Sequence, residues 1–314
     1  MSVIRTVALT KRYRSATVVD GLDLDVHDGD LFGFLGPNGS GKTTTVRMLL
    51  GLVYASSGHI EVLGCDIPRH SERALPEIGV LVEGPAFYPH LSGRANLALL
   101  DAAAGGARRT RKARVREALD RVGLASTGRK PTKAYSTGMR QRLGLAAALV
   151  RPRRLLILDE PTNGLDPQAA AEVRSLLQDL AASGVTVFLS SHLLTEIEQI
   201  CNRAAIVYEG RLVAQERIDV LMAPTGRVRV DTPDVAAAAR AIDDIAELRL
   251  LGRTSEGLRV HLDGAAPEKL TSELVNRGVR VRGVVPETRT LEQVFLDLTG
   301  APRADVSGAG DVPR

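Results

Sequence analysis

Tryptophan is absent from this 314-residue chain, and phenylalanine and tyrosine occur five times each, so aromatic residues make up only 3% of it. Surfaces that stack unpaired bases need closely spaced rings, and nucleic acid is therefore a poor candidate partner. Cysteine is scarcer still. Cys65 and Cys201 stand apart without C-x-x-C spacing, which argues against a disulfide framework or cysteine metal cluster and fits a reducing compartment. Long apolar runs are also missing. The best candidates, "LGLAAALV" and "LLIL", fall well short of the roughly 20 residues that cross a bilayer, and "MSVIRTVALTKRYR" at the N-terminus has no uninterrupted apolar core of signal-peptide type. The expected location is the cytoplasm.

What is present describes an ordinary globular protein, with 44% hydrophobic and 25% charged residues and a net charge of +4. The length suits one sizeable domain plus a smaller one. One stretch is unusually basic. "RRTRKARVRE", Arg108 to Glu117, reads first as a solvated helix face and second as a contact for anionic lipid or a partner.

Early segments such as "VIRTVALT" and "GLDLDVHDGD" alternate apolar and polar residues, predicting short antiparallel strands. "LFGFLG" then reads as a buried strand running into a glycine loop and helix. Residues from about 85 to 134 are mostly helical in pattern, with breaks at Gly105-Gly106 and Lys130-Pro131. From Ser136 the order becomes helix, strand "LLILDE", helix, strand "VTVFLSS", helix "LLTEIEQIC", strand "AAIVYEG". Strands alternating with helices predict a parallel α/β core. "MAPTGRVRV" reads as a linker around Pro224 and Gly226, followed by a β-α-β-β-α-β pattern of split βαβ type and a last helix, "TLEQVFLDLTG". The expected organisation is an ATPase-sized domain over 1–222, with a helical subdomain at about 85–150, an α+β accessory domain over 225–300, and a disordered Gly/Pro/Ala-rich tail over 301–314.

"GPNGSGKT" matches G-x-x-x-x-G-K-[ST] after a strand and opening a helix, the context that motif requires. Gly36, Pro37, Asn38, Gly39, Ser40, Gly41, Lys42 and Thr43, with Thr44 following, are candidate nucleotide contacts. Backbone N–H groups wrap phosphate oxygens there, Lys42 reaches the β and γ phosphates, and the Thr43 hydroxyl ligates Mg²⁺. "LLILDEP" supplies the complement: a buried strand delivers Asp159 to its carboxyl edge as the metal-organising acid, with Glu160 beside it as candidate base for a water. A second helix has phosphate chemistry at its start. In "AYSTGMRQRLGLAAALV", Ser136 is poised to cap and Gly138 leaves backbone N–H groups open, far from the phosphate loop in sequence.

On these residues, the chain from about residue 3 to 220 resembles the nucleotide-binding subunit of an ATP-binding cassette (ABC) transporter. The fold implied is an ABC-type P-loop ATPase with an antiparallel β subdomain and a helical subdomain. "YSTGMRQ" is similar to the family's signature helix, with Ser136 and Gly138 kept. The resemblance implies that two copies pair head to tail, each signature helix capping the γ-phosphate on the other's loop. It places Tyr13, 29 residues before Lys42, as the aromatic that stacks on adenine; Asp166 in "NGLDP" in the loop crossing the dimer interface; and His192 as the switch histidine sensing the γ-phosphate. His27, His59, His70, His90 and His261 have no such frame. Where most of the family has a glutamine that touches Mg²⁺, this chain has Glu83, whose charge alters the expected metal affinity.

Glu83, "YSTGM", "SSHLLTEIEQ" and "LEQVFLDLTG" together resemble one branch, the separate ATPase subunits of bacitracin-type and anthracycline-type drug exporters. The implied activity is ATP hydrolysis with Mg²⁺, powering export through a separate transmembrane permease from the inner face of the membrane. The alternative is a soluble ABC ATPase that remodels ribosomes or DNA. A single motif set with no heptad run speaks against it. A P-loop kinase leaves "YSTGMRQ" and His192 unexplained.

Overall fold

The computed structural model describes residues 1–82 and 87–300. It divides into two units, Met1–Ile218 and Asp219 onward.

In the first unit β1 (Ser2–Tyr13), β2 (Ala16–Leu22) and β3 (Asp25–His27) precede β4 (Leu31–Leu35) and α1 (Lys42–Leu49). Then come β5 (Ser57–Val62), β6 (Cys65–Asp66), α2 (Ser71–Ala74) and β7 (Ile78–Leu81). Three helices follow: α3 (Gly93–Ala103), α4 (Arg108–Arg121) and α5 (Thr137–Leu149). The chain finishes the unit with β8 (Leu155–Asp159), α6 (Pro167–Ala182), β9 (Thr186–Ser191), α7 (Leu194–Ile200), β10 (Arg203–Tyr208) and β11 (Arg211–Arg217).

Two sheets result. The antiparallel one runs β2-β1-β5-β6 with β3 also on β1; the other runs β11-β10-β4-β9-β8-β7. In the second sheet every pairing from β10 to β7 is parallel, and only β11 is antiparallel. The apolar run of β4 is buried along its whole length, as a strand covered on both faces must be. Phe32 and Phe34 of β4 pack on Phe188 of β9, with ring centroids 5.8 and 5.4 Å apart. A Cβ on Gly33 would lie 2.6 Å from Ile197, so α7 can press against β4 only because glycine stands there. Helices and strands therefore form the mixed α/β architecture that the alternating pattern predicts.

The second unit contains α8 (Ile218–Leu221, whose first residue closes the first unit), β12 (Pro224–Asp231), α9 (Val235–Asp243), β13 (Leu248–Arg253), β14 (Gly257–Leu262), α10 (Pro267–Asn276), β15 (Gly283–Thr288) and α11 (Leu291–Thr299). Its antiparallel sheet has the order β13-β14-β12-β15. Val228, Val230, Leu258 and Val260 form a core with Ala238 and Ile242 of α9 and Leu270 and Leu274 of α10. One expectation is corrected: "MAPTGRVRV" is not a linker, because Pro224–Asp231 is strand β12. Gly226 has φ 67°, and the ladder to β15 breaks register between Pro224 and Val228, so the glycine marks an irregularity inside a strand. The tail over 301–314 lies outside the described residues.

Candidate functional site

Three adjacent parallel strands deliver the candidate residues to one sheet edge. β4 ends in the phosphate loop, β9 beside it ends just before His192, and β8 beside β9 ends in Asp159. The register pairs Leu35 with Ser191 and Ser190 with Asp159, so residues more than 100 positions apart meet by backbone pairing alone. Carboxyl ends of parallel strands are where open α/β sheets collect ligands.

The loop needs its glycines for close approach. A Cβ on Gly36 would collide with the Val207 carbonyl, and one on Gly41, where φ is 95°, would lie 2.6 Å from the Val18 carbonyl oxygen. Lys42 Nζ donates to the carbonyls of Gly36 and Pro37 at 2.7 and 3.1 Å. Burial pulls this ammonium below its usual range, while the charges of Glu160 and Asp159 act against that shift. Ser40 Oγ is buried with no hydrogen-bond partner among the described residues. A glycine cradle, an ammonium, an unfilled hydroxyl and the N-terminus of α1 together fit phosphate oxygens.

The acids are held from several sides. Thr43 Oγ1 donates to Asp159 Oδ2 at 3.0 Å, and Ser190 Oγ donates to Asp159 Oδ1. Glu160 sits at φ 50°, a left-handed conformation that costs a non-glycine residue about 1 kcal/mol or more. Its N–H is within reach of Ser190 O and Oγ at 3.2 and 3.3 Å, and its carbonyl accepts from Gln141 Nε2 at 3.1 Å. His192 Nδ1 lies 2.9 Å from Glu160 Oε2. A cavity of about 430 Å³ is bordered by Asn38, Gly39, Gly41, Lys42, Thr43 and Thr44 on one side and Glu160, Asn163 and His192 on the other, with Val18 at its rim.

No cluster of three or more His, Cys, Asp or Glu side chains suited to a metal occurs among the described residues. The Thr43 hydroxyl and Asp159 carboxylate are nevertheless hard oxygen donors in contact. That set fits Mg²⁺, which takes one or two carboxylates and completes its shell with phosphate oxygens and water.

Other expected site residues lie elsewhere. Tyr13 is exposed, with Lys11 Nζ 4.7 Å from its ring centroid, and does not border the cavity. Ser136 caps α5 by accepting from Met139 N at 3.2 Å, and Asp166 caps α6 by accepting from Ala169 N at 2.8 Å. Gly138 faces Leu165, whose Cδ2 would be 3.1 Å from an added Cβ. None of these borders the cavity either. Glu83 lies outside the described residues. Sequence reasoning missed Ser190, Gln141 and Asn163. Gln141 had a signal, since it stands three residues after Gly138 on one helix and so shares its face. Ser190 had none, because its role comes from strand register.

The sequence model of the ABC transporter family matches residues 19–163. The bacitracin transport ATP-binding protein BcrA of Bacillus licheniformis is 38% identical, across 95% of this chain and 98% of its own. The daunorubicin resistance ATP-binding protein DrrA3 of Streptomyces coeruleorubidus is 40% identical, across 93% of this chain and 94% of its own. Among solved structures, an ATP-binding subunit of an ABC transporter superposes with a TM-score of 0.64 at 27% identity, covering 70% of this chain and 92% of that one. At this identity and coverage the chain belongs to the ABC transporter family, as an ATP-binding subunit that hydrolyses ATP to power a transporter.

Proposed function

We propose that two copies of the chain pair head to tail around ATP and drive export of a drug or peptide through a separate transmembrane permease, on the inner face of the membrane. One observation carries the pairing. The phosphate cavity is bordered by the loop, Glu160, Asn163 and His192, whereas exposed Ser136 and its neighbour Gly138 border none of it. A helix start with free N–H groups and no phosphate of its own is suited to a partner's γ-phosphate. Asp166, at the start of α6, belongs to the same interface in this reading, and Tyr13 stacks on adenine.

Within one site, Lys42 and the loop amides bind the phosphates, and Glu160 accepts a proton from the attacking water. His192, in contact with the Glu160 carboxylate, keeps that base aimed and senses the γ-phosphate. Thr43 and Asp159 hold Mg²⁺, which supplies charge neutralisation between the phosphates. Glu83 is a third metal oxygen on the strength of the family resemblance.

Export is supported by relatives named for bacitracin transport and daunorubicin resistance. No helix among the described residues is long and apolar enough to cross a membrane, which fits a permease on another polypeptide. A groove of about 460 Å³ over α3, bordered by exposed Tyr88, Leu99 and Leu100, offers apolar area for such a contact.

Glu160→Gln tests the two-site reading. It removes the base and keeps the phosphate contacts, so the variant accumulates as an ATP-bound dimer on size-exclusion chromatography with Mg²⁺. A variant saturated with ATP yet monomeric would overturn head-to-tail pairing.

A further inference from the structure

The second unit has a sheet face that nucleotide chemistry does not use. Strand alternation turns Val228, Val230, Leu258 and Val260 inward against α9 and α10, and leaves Arg227, Arg229, Arg249 and Arg259 exposed on the opposite face. Register sets these arginines side by side. Arg227 and Arg249 flank His261 in one row, and Arg229 stands directly across from Arg259 in the next.

Like charges directly opposite each other destabilise a sheet. Nearby acids relieve this only in part. Arg259 grips Glu287 through Nε and Nη2, both at 2.7 Å, and Arg229 meets Asp231 at 3.1 Å. Arg227 and Arg249 have no ion pair among the described residues. The face continues into a cavity of about 500 Å³ bordered by Arg227, Arg259, Thr288, Arg289 and Gln293. The Glu287 carboxyl is held below the usual carboxylate range, chiefly by its bond to Arg259 and further by Arg227 and Arg229, so the face already favours one carboxylate in its charged form.

We propose that this open face docks an acidic segment of a partner polypeptide, whose carboxylates are taken by Arg227, Arg229 and Arg249 in forks like the one Arg259 makes with Glu287. Charge complementarity carries the choice of partner. Arg227 and Arg229 are two positions apart on β12, a repeat of roughly 6.6 Å that alternate acids of an extended peptide reproduce. Nucleic acid is disfavoured because no aromatic residue occurs on β12, β13, β14 or β15 to stack a base. A lipid surface is disfavoured because Asp231, Asp263 and Glu287 are interleaved with the arginines, which suits a patterned partner better than a uniform negative sheet.

The test is fluorescence anisotropy with fluorescein-labelled deca-glutamate titrated into the full chain. The double variant Arg227→Gln/Arg249→Gln removes two exposed, unpaired charges and leaves the core untouched. Arg109→Gln/Lys112→Gln removes the same charge from exposed positions of α4 and serves as control. The sheet variant is expected to bind at least roughly fivefold more weakly than wild type, with the control changed by less than about twofold. Basal ATPase rate stays unchanged in both. Absence of peptide binding, or equal weakening in both variants, would overturn the proposal. So would tighter binding of phosphatidylglycerol vesicles or of a single-stranded oligonucleotide that is lost in the sheet variant alone, since the face would then serve that other partner.

Discussion

Glu160 combines a candidate base with an unfavourable backbone conformation, so something must hold it there. Two groups do. Ser190 takes the Glu160 N–H, and the Gln141 amide reaches the carbonyls of Glu160 and Pro161 at 3.1 and 3.2 Å. The amide comes from α5, the helix that Ser136 caps, so the signature helix and the base of the same chain are mechanically linked. Gln141→Ala is expected to loosen the base without touching the phosphate loop. Its kcat should fall roughly tenfold while KM for ATP stays within about twofold, the split that marks lost positioning and not lost binding. His192→Ala removes a group touching the base itself and should cost roughly a hundredfold or more in kcat. Steady-state ATPase assays measure both. An unchanged kcat in Gln141→Ala would mean that Ser190 alone fixes the turn.

At the scale of elements, α3 and α4 are joined by a buried charge. Asp101 is fully buried at the end of α3 and accepts from Arg111 Nε at 3.0 Å and from Arg114 Nε and Nη2 at 2.8 and 2.6 Å. A Cβ on Gly106 would collide with this carboxylate, which explains the glycine pair between the helices. The hydrogen bond from Arg114 is the largest influence holding the carboxyl below its usual range; burial opposes it, and Arg111 adds to it. A depressed acid stabilises the fold above its unfolded pKa, and that contribution is lost as pH falls through the folded value. Asp101→Asn should therefore lower stability by about 2 kcal/mol at pH 7, with the gap from wild type closing below about pH 4. Urea melts across pH would show this, and a gap independent of pH would sink the account. The same helix shows where sequence reading stops. "RRTRKARVRE" reads as a solvated face, yet Arg111 and Arg114 turn toward an acid on another helix, which the period of one helix cannot reveal. By contrast, "GPNGSGKT" and "LLILDE" are legible because their chemistry is local: glycines set the loop's backbone and an apolar run sets a buried strand. Ser190 reaches Asp159 only through strand register, and β12 was hidden because Pro224 and Gly226 sit at an irregularity of a real strand.

For the whole molecule, the question is how much of the chain ATP binding requires. Every residue that borders the phosphate cavity falls between Val18 and His192. The first unit closes at Ile218 and carries a core built from both its sheets, including Ile4, Leu22, Phe34, Leu155 and Phe188. At that size a single domain folds on its own core. The second unit has a separate core around Val230, Ile242, Val260 and Leu270 and contributes none of the cavity's bordering residues. We therefore expect a chain ending at Leu221, after α8, to keep ATP affinity within about threefold of the full chain, a difference of less than about 0.7 kcal/mol. Calorimetric titration on a Glu160→Gln background keeps the ligand intact during the measurement. ATP at a hundred times its Kd should also stabilise the fragment by roughly 2.7 kcal/mol against urea, because ligand that binds only the folded state shifts unfolding by mass action. A fragment that is folded by circular dichroism yet gains nothing from ATP would show that the second unit is part of the nucleotide machinery, and the division of labour proposed for the two units would fall with it.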